Sequence, residues 1–455
     1  MEKALFLVMA GGEGKRLRRL AGSLPKPLVR FGSSATLIDF TLYNCLASGA
    51  REVVVLTQYQ GELIERHLAQ EWQSAFAAHG AHLSTLAGAE TPAGQFRGTA
   101  DAVRQALRRH PGVPEHVVVL AADHVYRMDY NSLLSFHRGH GAAATVGTVE
   151  LEWEKARGLG LVSAMANGRV SGFLEKPEGL ESWILQDRKP LSSMGIYAFN
   201  RRALLRYLED EPEVLDFGLH LLPRLSRDRE LYAHRFLGPD GRPGYWRDLG
   251  TPLSFWQTHM EILNGHGHSF FAADPLPKVG LPLPPGHLVH KSFCGEQWIY
   301  NSLISPSAKI GNALIEDSVI GPDVVIEDGS SIEKSVILDG AVIRKWTELD
   351  HALVGPGLEI KQTLHATHEI ALGPELRAPH RHHAVAEQPP ESQPQPDESF
   401  PAEPEEIEIT LPPLRKRPDS YPAIKTQVAL SARANFGARV PSPATHYSAS
   451  SHSKP

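Results

Sequence analysis

Residues 4–17 read ALFLVMAGGEGKRL, seven apolar residues running into Gly11-Gly12-Glu13-Gly14 and the basic pair Lys15-Arg16. An unbroken apolar run of this length, closed by glycines, reads as a strand buried on both faces, as in the interior of a parallel sheet. Glycines at a strand-to-helix turn let backbone N–H groups approach a phosphate closely, and Lys15 and Arg16 add positive charge there. The spacing is neither the Walker pattern nor the full dinucleotide fingerprint, and a tight turn calls for glycine in any case. The loop alone therefore leaves phosphate binding and plain turn geometry both open. With one lysine before it and glycines directly after, the run is a strand and not an export signal. No stretch approaches the ~18 consecutive apolar residues needed to span a bilayer, so a soluble chain with no membrane partner is expected.

Outward from this strand, short apolar runs alternate with amphipathic stretches: EVVVLTQ, ELIERHLAQEW and HVVVLAADH follow in turn. Strand then helix, repeated, predicts one α/β domain over residues 1–265 with a mostly parallel sheet covered on both faces. A chain of 455 residues has room for two or three domains. The prolines of PLPKVGLPLPPGHLV, residues 275–289, suit an extended connector, placed at 266–300. Beyond it, apolar residues recur at Ile310, Ile315, Ile320, Ile326, Ile332, Leu338, Ile343, Leu349, Val354 and Ile360. Gaps of five or six are the hexapeptide signature of a parallel β-helix, expected over 301–362, with an antiparallel sandwich as the alternative. Residues 379–455 hold 14 of the 35 prolines. That composition predicts a disordered tail within 363–455, and the cluster His380, His382, His383 at its start is assigned no chemistry.

Net charge is −6, so the chain is no polycation built to neutralise a nucleic-acid backbone. Its two cysteines, Cys45 and Cys294, have no neighbours at metal-ligand spacing, which predicts neither disulfides nor zinc and fits a reducing cytoplasm. Lys26-Pro27 could fold back over the anion at the glycine loop, against the plain reading of a surface lysine. VVVLAADH sets Asp123 at the carboxyl end of a strand, where open α/β sheets bind ligands. Asp248, in YWRDLGT, offers a second carboxylate, and two carboxylates with nucleotide phosphates make a magnesium site; a salt bridge to Arg247 is the alternative. FLEKP ends a strand with Glu175, suited to sugar hydroxyls, and Lys176, suited to a phosphate, or else with an exposed ion pair. In FRGTADAV, Thr99 reads as a helix cap and Gly98 as a place where a flat ring can approach the backbone. Ser192-Ser193 at a strand start offers hydroxyls, or an ordinary turn.

MAGGEGKRL, the Lys26-Pro27 pair, LIDFTLYNCLASG, VVVLTQYQ, FRGTADAV, AADHVYRMDY, FLEKP, SSMGIYAF, DFGLHLLP and YWRDLGT, in this order, closely resemble the glucose-1-phosphate adenylyltransferases, or ADP-glucose pyrophosphorylases. The resemblance spans residues 3 to 362. It implies a Rossmann-like nucleotidyltransferase domain joined to a left-handed β-helix, Mg2+ as cofactor, a homotetramer and a small-molecule allosteric effector. It also implies an enzyme that makes ADP-glucose for glycogen from ATP and glucose 1-phosphate. A sister enzyme using UTP, dTTP or GTP, and a non-catalytic regulatory subunit, are the competing expectations. By resemblance, Gly11, Gly12, Gly14 and Arg16 hold the triphosphate, Lys26 meets the leaving pyrophosphate, and Gly98 lies near the adenine. Asp123 and Asp248 ligate magnesium, while Phe96, Gly160, Glu175, Lys176 and Ser193 take the sugar phosphate, with Arg16, Lys26 and Asp123 catalytic. Phe96 stands where the family has tyrosine, AGSLP before Lys26 replaces basic residues, the usual arginine before Ile38-Asp39-Phe40 is absent at Thr36-Leu37, and LAGAETPAGQ replaces a Gln-Gln-Arg loop. The AGSLP and Thr36-Leu37 departures bear on the family's activator site, and the loop replacement bears on loop ordering or effector response.

Overall fold

A computed structural model describes residues 4–361 except 13, 15–16, 18–19, 21, 23, 34, 89–93, 113, 157, 178–189, 211–212, 265–287 and 295–296. It also gives the backbone of the strands Leu364–His365 and Ile370–Ala371. The proline-rich tail and its histidines, like Arg16 and most of the proline-rich connector, lie outside the described residues.

The strand Ala4–Ala10 is central in a nine-stranded sheet. It pairs in parallel with Glu52–Thr57 on one side and His116–Ala121 on the other, and His82–Ala87 extends the parallel part. The far side is antiparallel: Leu191–Asn200 pairs with His116–Ala121, Ala144–Glu150 and Gly160–Ala164. Both faces are covered, because Phe6, Val8, Val53 and Val55 enter one core while Leu5, Leu7, Val54 and Leu56 enter the other. Alternate side chains leave a strand on opposite faces, so a run apolar at every position needs two cores.

The repeat region is a parallel β-helix. Ile315, Ile332 and Leu349 stack in register, as do Ile320, Ile337 and Val354, and Ile326, Ile343 and Ile360. Each stack advances 17 residues per coil, so the gaps of five and six sum to one turn of a three-faced prism. One expectation is corrected: Ile337, not Leu338, faces the interior with Ile320 and Val354, while Leu338 turns outward. The connector reading also ends early, because the strand Leu288–Cys294 pairs antiparallel with Gln297–Ile304, which joins the first coil. Parallel pairing continues to Ile370–Ala371, beyond residue 362.

Leu338 faces outward because that prism face packs on the α/β domain. Leu303, Val319, Val336 and Leu353 share one apolar cluster with Leu17, Leu20, Phe31 and Phe255. Polar contacts flank it: Arg30 Nε donates to Asp339 at 3.1 Å, and Trp256 Nε1 donates to the Lys334 carbonyl at 2.8 Å. Inside the α/β domain, His259 ties the helix Pro252–Leu263 to the loop after Arg30–Phe31. The Gly32 N–H donates to Nε2 at 3.0 Å, and Nδ1 lies 2.8 Å from the Phe255 carbonyl, so Nδ1 carries the proton.

Burial holds the His259 imidazole neutral and pushes its pKa down to about 4. The unfolded chain, near 6.5, takes up the proton first, so stability falls as pH drops from 6.5 towards 4. Between pH 7.5 and pH 5 this group alone is expected to cost about 2 kcal/mol. Urea unfolding of His259→Gln should show a pH dependence shallower by that amount; an unchanged dependence contradicts the assignment.

Candidate active site

The site forms at the carboxyl edge of the parallel strands. Ala4–Ala10 delivers Gly11, Gly12 and Gly14, and His116–Ala121 delivers Asp123 two residues beyond its end. Asp248 arrives from 125 residues away through a short ladder: His124–Tyr126 pairs antiparallel with Trp246–Asp248, setting Asp248 opposite His124. Lys26 opens a single 3-10 turn, Lys26–Leu28, and Pro27 fixes its backbone at the start of that turn. Gly14 has φ +63°, and a Cβ there would lie 2.5 Å from Lys26 Cβ, so glycine is needed for the loop to pass the lysine.

Lys26 is buried between the two carboxylates, with Nζ 2.8 Å from Asp123 Oδ2 and 3.2 Å from Asp248 Oδ1. The surface-lysine reading is excluded. Burial would lower its pKa, but the charges of Asp123 and Asp248 outweigh this and raise it. Burial likewise pushes Asp123 up, yet the Lys26 charge and its hydrogen bond hold it well below the usual carboxylate range. Arg247 does not neutralise Asp248: its Nε bonds Glu261 at 2.7 Å, which removes the salt-bridge alternative.

A cleft of about 360 Å³ opens beside this centre, lined among others by Gly11, Gly12, Gly14, Lys26, Phe96, Gly98 and Asp123. Gln58, in the TQYQ motif, holds its wall by accepting the Phe96 N–H at 2.7 Å. Gly98 is required by the protein itself, since a Cβ would fall on the Leu215 carbonyl oxygen. Thr99 is not the cap that its position predicts. The cap position is Gly98, and the Thr99 hydroxyl donates to Asp216 at 3.1 Å and accepts the Phe217 N–H at 3.0 Å.

A second group adjoins. A Cβ on Gly160 would meet Glu175 Oε2 at 2.9 Å and Ser193 Cβ at 3.4 Å, so these three residues share one corner. Lys176 is exposed and bonds Glu175 at 3.1 Å, the ion pair that the plain reading of FLEKP describes. It sits at φ +45°, a left-handed backbone rare for a residue with a Cβ. Two links join this group to the cleft. Gly195 lies against the His124 ring, where a Cβ would come within 3.1 Å of Cε1. Tyr197 stacks on Phe217 at 5.5 Å, and Phe217 is tied to Thr99. The structure thus brings together Gly11, Gly12, Gly14, Lys26, Phe96, Gly98, Asp123 and Asp248, with Gly160, Glu175, Lys176 and Ser193 beside them.

The sequence reading assigned no role to Gln58, Asp216, Tyr197 or His124. Gln58, Asp216 and Tyr197 lie within the quoted motifs VVVLTQYQ, DFGLHLLP and SSMGIYAF, and His124 adjoins a strand-end carboxylate. Asp123, His124 and Asp248 offer donor atoms within 4.8 Å of one another, and the two carboxylates supply the hard oxygen donors that suit magnesium.

A glycine turn at the end of the central strand, opening on a lysine-bridged carboxylate pair, is the arrangement of a nucleotidyltransferase. Residues 5–265 match the family described as nucleotidyl transferase, and residues 284–373 match the GlmU-like C-terminal hexapeptide family. Glucose-1-phosphate adenylyltransferase 2 of Vibrio parahaemolyticus is 34% identical over 67% of this chain and 78% of its own length. Its namesake in Alkalilimnicola ehrlichii is 36% identical, over 68% and 76%, and the Pasteurella multocida glucose-1-phosphate adenylyltransferase 35%, over 69% and 75%. The chain belongs to the glucose-1-phosphate adenylyltransferase family.

Removing the lysine charge leaves two neighbouring partly buried carboxylates without their shared partner. Lys26→Met is expected to lose about 2 kcal/mol of stability at pH 7.5. The deficit should shrink as pH falls and the carboxylates protonate, read by urea unfolding at pH 7.5 and 5. Equal stability at pH 7.5 contradicts the bridging role.

Proposed function

We propose that the chain transfers the adenylyl group of ATP to α-D-glucose 1-phosphate, forming ADP-glucose and pyrophosphate for glycogen synthesis. The observation that carries this reading is the Asp123–Lys26–Asp248 centre at the end of the glycine-lined cleft. The names of the relatives supply the nucleotide and the sugar phosphate.

In this reading the phosphate oxygen of glucose 1-phosphate attacks the α-phosphorus in line as the bond to the β-phosphate breaks, and no covalent enzyme intermediate forms. A magnesium ion held by Asp123 and Asp248 supplies, when bound, positive charge against the α-phosphate and the departing pyrophosphate. The backbone of Gly11, Gly12 and Gly14, with the Arg16 guanidinium, binds the triphosphate. Lys26, already buried and charged, needs only a small swing of its flexible stem to follow charge onto the leaving group. Gly98 lies beside the adenine, and Phe96, which lines the same cleft, offers the sugar a ring face without a hydroxyl. Glu175 and Ser193 accept and donate to the sugar hydroxyls in the corner that Gly160 leaves open, and Lys176 parts from Glu175 to meet the sugar phosphate. Catalysis is then positioning and electrostatics, with no acid–base dyad. The homotetramer, the allosteric effector and the cytoplasmic location belong to this proposal through the family resemblance alone. Among the described residues, no helix is long and apolar enough to cross a membrane.

An electrostatic contact of this kind contributes about 3 kcal/mol to the transition state, so Asp123→Asn should lower turnover about a hundredfold or more. Steady-state pyrophosphate release checks this, with circular dichroism confirming the fold. Turnover within tenfold of the parent removes Asp123 from the centre.

A further inference from the structure

We infer that His124 Nε2 is a third protein ligand to the divalent cation at the Asp123–Asp248 pair. The inference rests on the cation site proposed above and adds to it a nitrogen donor.

His124 is 9% exposed, and its Nε2 stands at ion-pair distance from both carboxylates. Nδ1 is sealed from solvent without a partner, and the ring lies edge-on to Trp246 with centroids 4.8 Å apart. Gly195 packs against the ring, where any side chain would crowd Cε1. These neighbours leave Nε2 as the one nitrogen that faces the carboxylates. It is 3.5 Å from Asp123 Oδ1 and 3.8 Å from Asp248 Oδ1.

Those separations are too long for hydrogen bonds to well-placed carboxylates. They suit three donors around one ion: ligands ~2.1 Å from a common centre stand about 3 Å apart when adjacent and about 4 Å apart when opposite. At Asp123, Lys26 Nζ takes Oδ2 and leaves Oδ1 on the histidine side; at Asp248 it bonds Oδ1, the oxygen that also faces Nε2, so the lysine must swing aside there as the ion enters. Ligation gives Nε2 a closer partner than the carboxylate oxygens at 3.5 and 3.8 Å provide. A set of one nitrogen and two oxygens also shifts preference from magnesium towards manganese or cobalt, since imidazole is a softer donor than water or carboxylate.

The test uses the full chain with Mn2+ and inorganic pyrophosphate, which contains no nitrogen, and reads nitrogen modulation by pulsed electron paramagnetic resonance. The expected result is an imidazole nitrogen signal that shifts when histidine is labelled with 15N and disappears in His124→Gln, with Mn2+ affinity at least tenfold weaker. Mn2+ binding that depends on Asp123 but shows no histidine nitrogen overturns ligation by His124 and leaves the two-carboxylate site standing. Mn2+ binding that Asp123→Asn does not weaken overturns both. The parent chain alone decides the first point, so misfolding of the variant cannot obscure it.

Discussion

One buried ammonium holds three distant parts of this chain in register. Lys26 comes from a proline-fixed turn after the glycine loop, Asp123 from the end of a parallel strand, and Asp248 from a short antiparallel ladder. Two carboxylates this close repel each other in a partly buried setting unless a cation lies between them, and Lys26 supplies it within the protein. The ammonium stabilises the cluster before any ligand arrives, which preorganises charge where polyphosphate chemistry needs it. The glycine at position 14 is part of the same device, because the loop can pass Lys26 only without a side chain there.

The β-helix contributes to this centre at one remove. Its outward row of Val319, Val336 and Leu353 packs on Phe31 and Phe255, and the Phe31 ring lies tilted against His259 with centroids 4.0 Å apart. The helix carrying Phe255 and His259 begins four residues after Asp248, and the loop that His259 holds begins shortly after Lys26. Packing of the prism therefore supports the two segments that bring Lys26 and Asp248 together.

Much of the fold was legible because its signals are local and repeated. The run ALFLVMA announces a doubly covered strand, and apolar gaps of five and six announce a prism. The misplacement of Leu338 for Ile337 arises because both are buried: one fills the prism and the other the contact with the α/β domain, and hydrophobicity cannot tell two kinds of burial apart. Asp123, Lys26 and Asp248 were legible as residues, but not their mutual contact. The ladder that sets Asp248 opposite His124 is only three residues long and pairs segments more than a hundred residues apart. Thr99 shows the converse. Its place at a helix start satisfies the cap pattern, yet its hydroxyl is engaged by Asp216 and Phe217, a tertiary contact that no local spacing encodes.

Product identification tests the account most directly. Phosphorus NMR of the full-length protein with magnesium, glucose 1-phosphate and one nucleoside triphosphate at a time follows every phosphate involved. ADP-glucose and pyrophosphate are expected in equal amounts from ATP, and no sugar nucleotide from UTP, dTTP, GTP or CTP. A sugar nucleotide formed preferentially from another triphosphate, or none formed from any, would contradict the account.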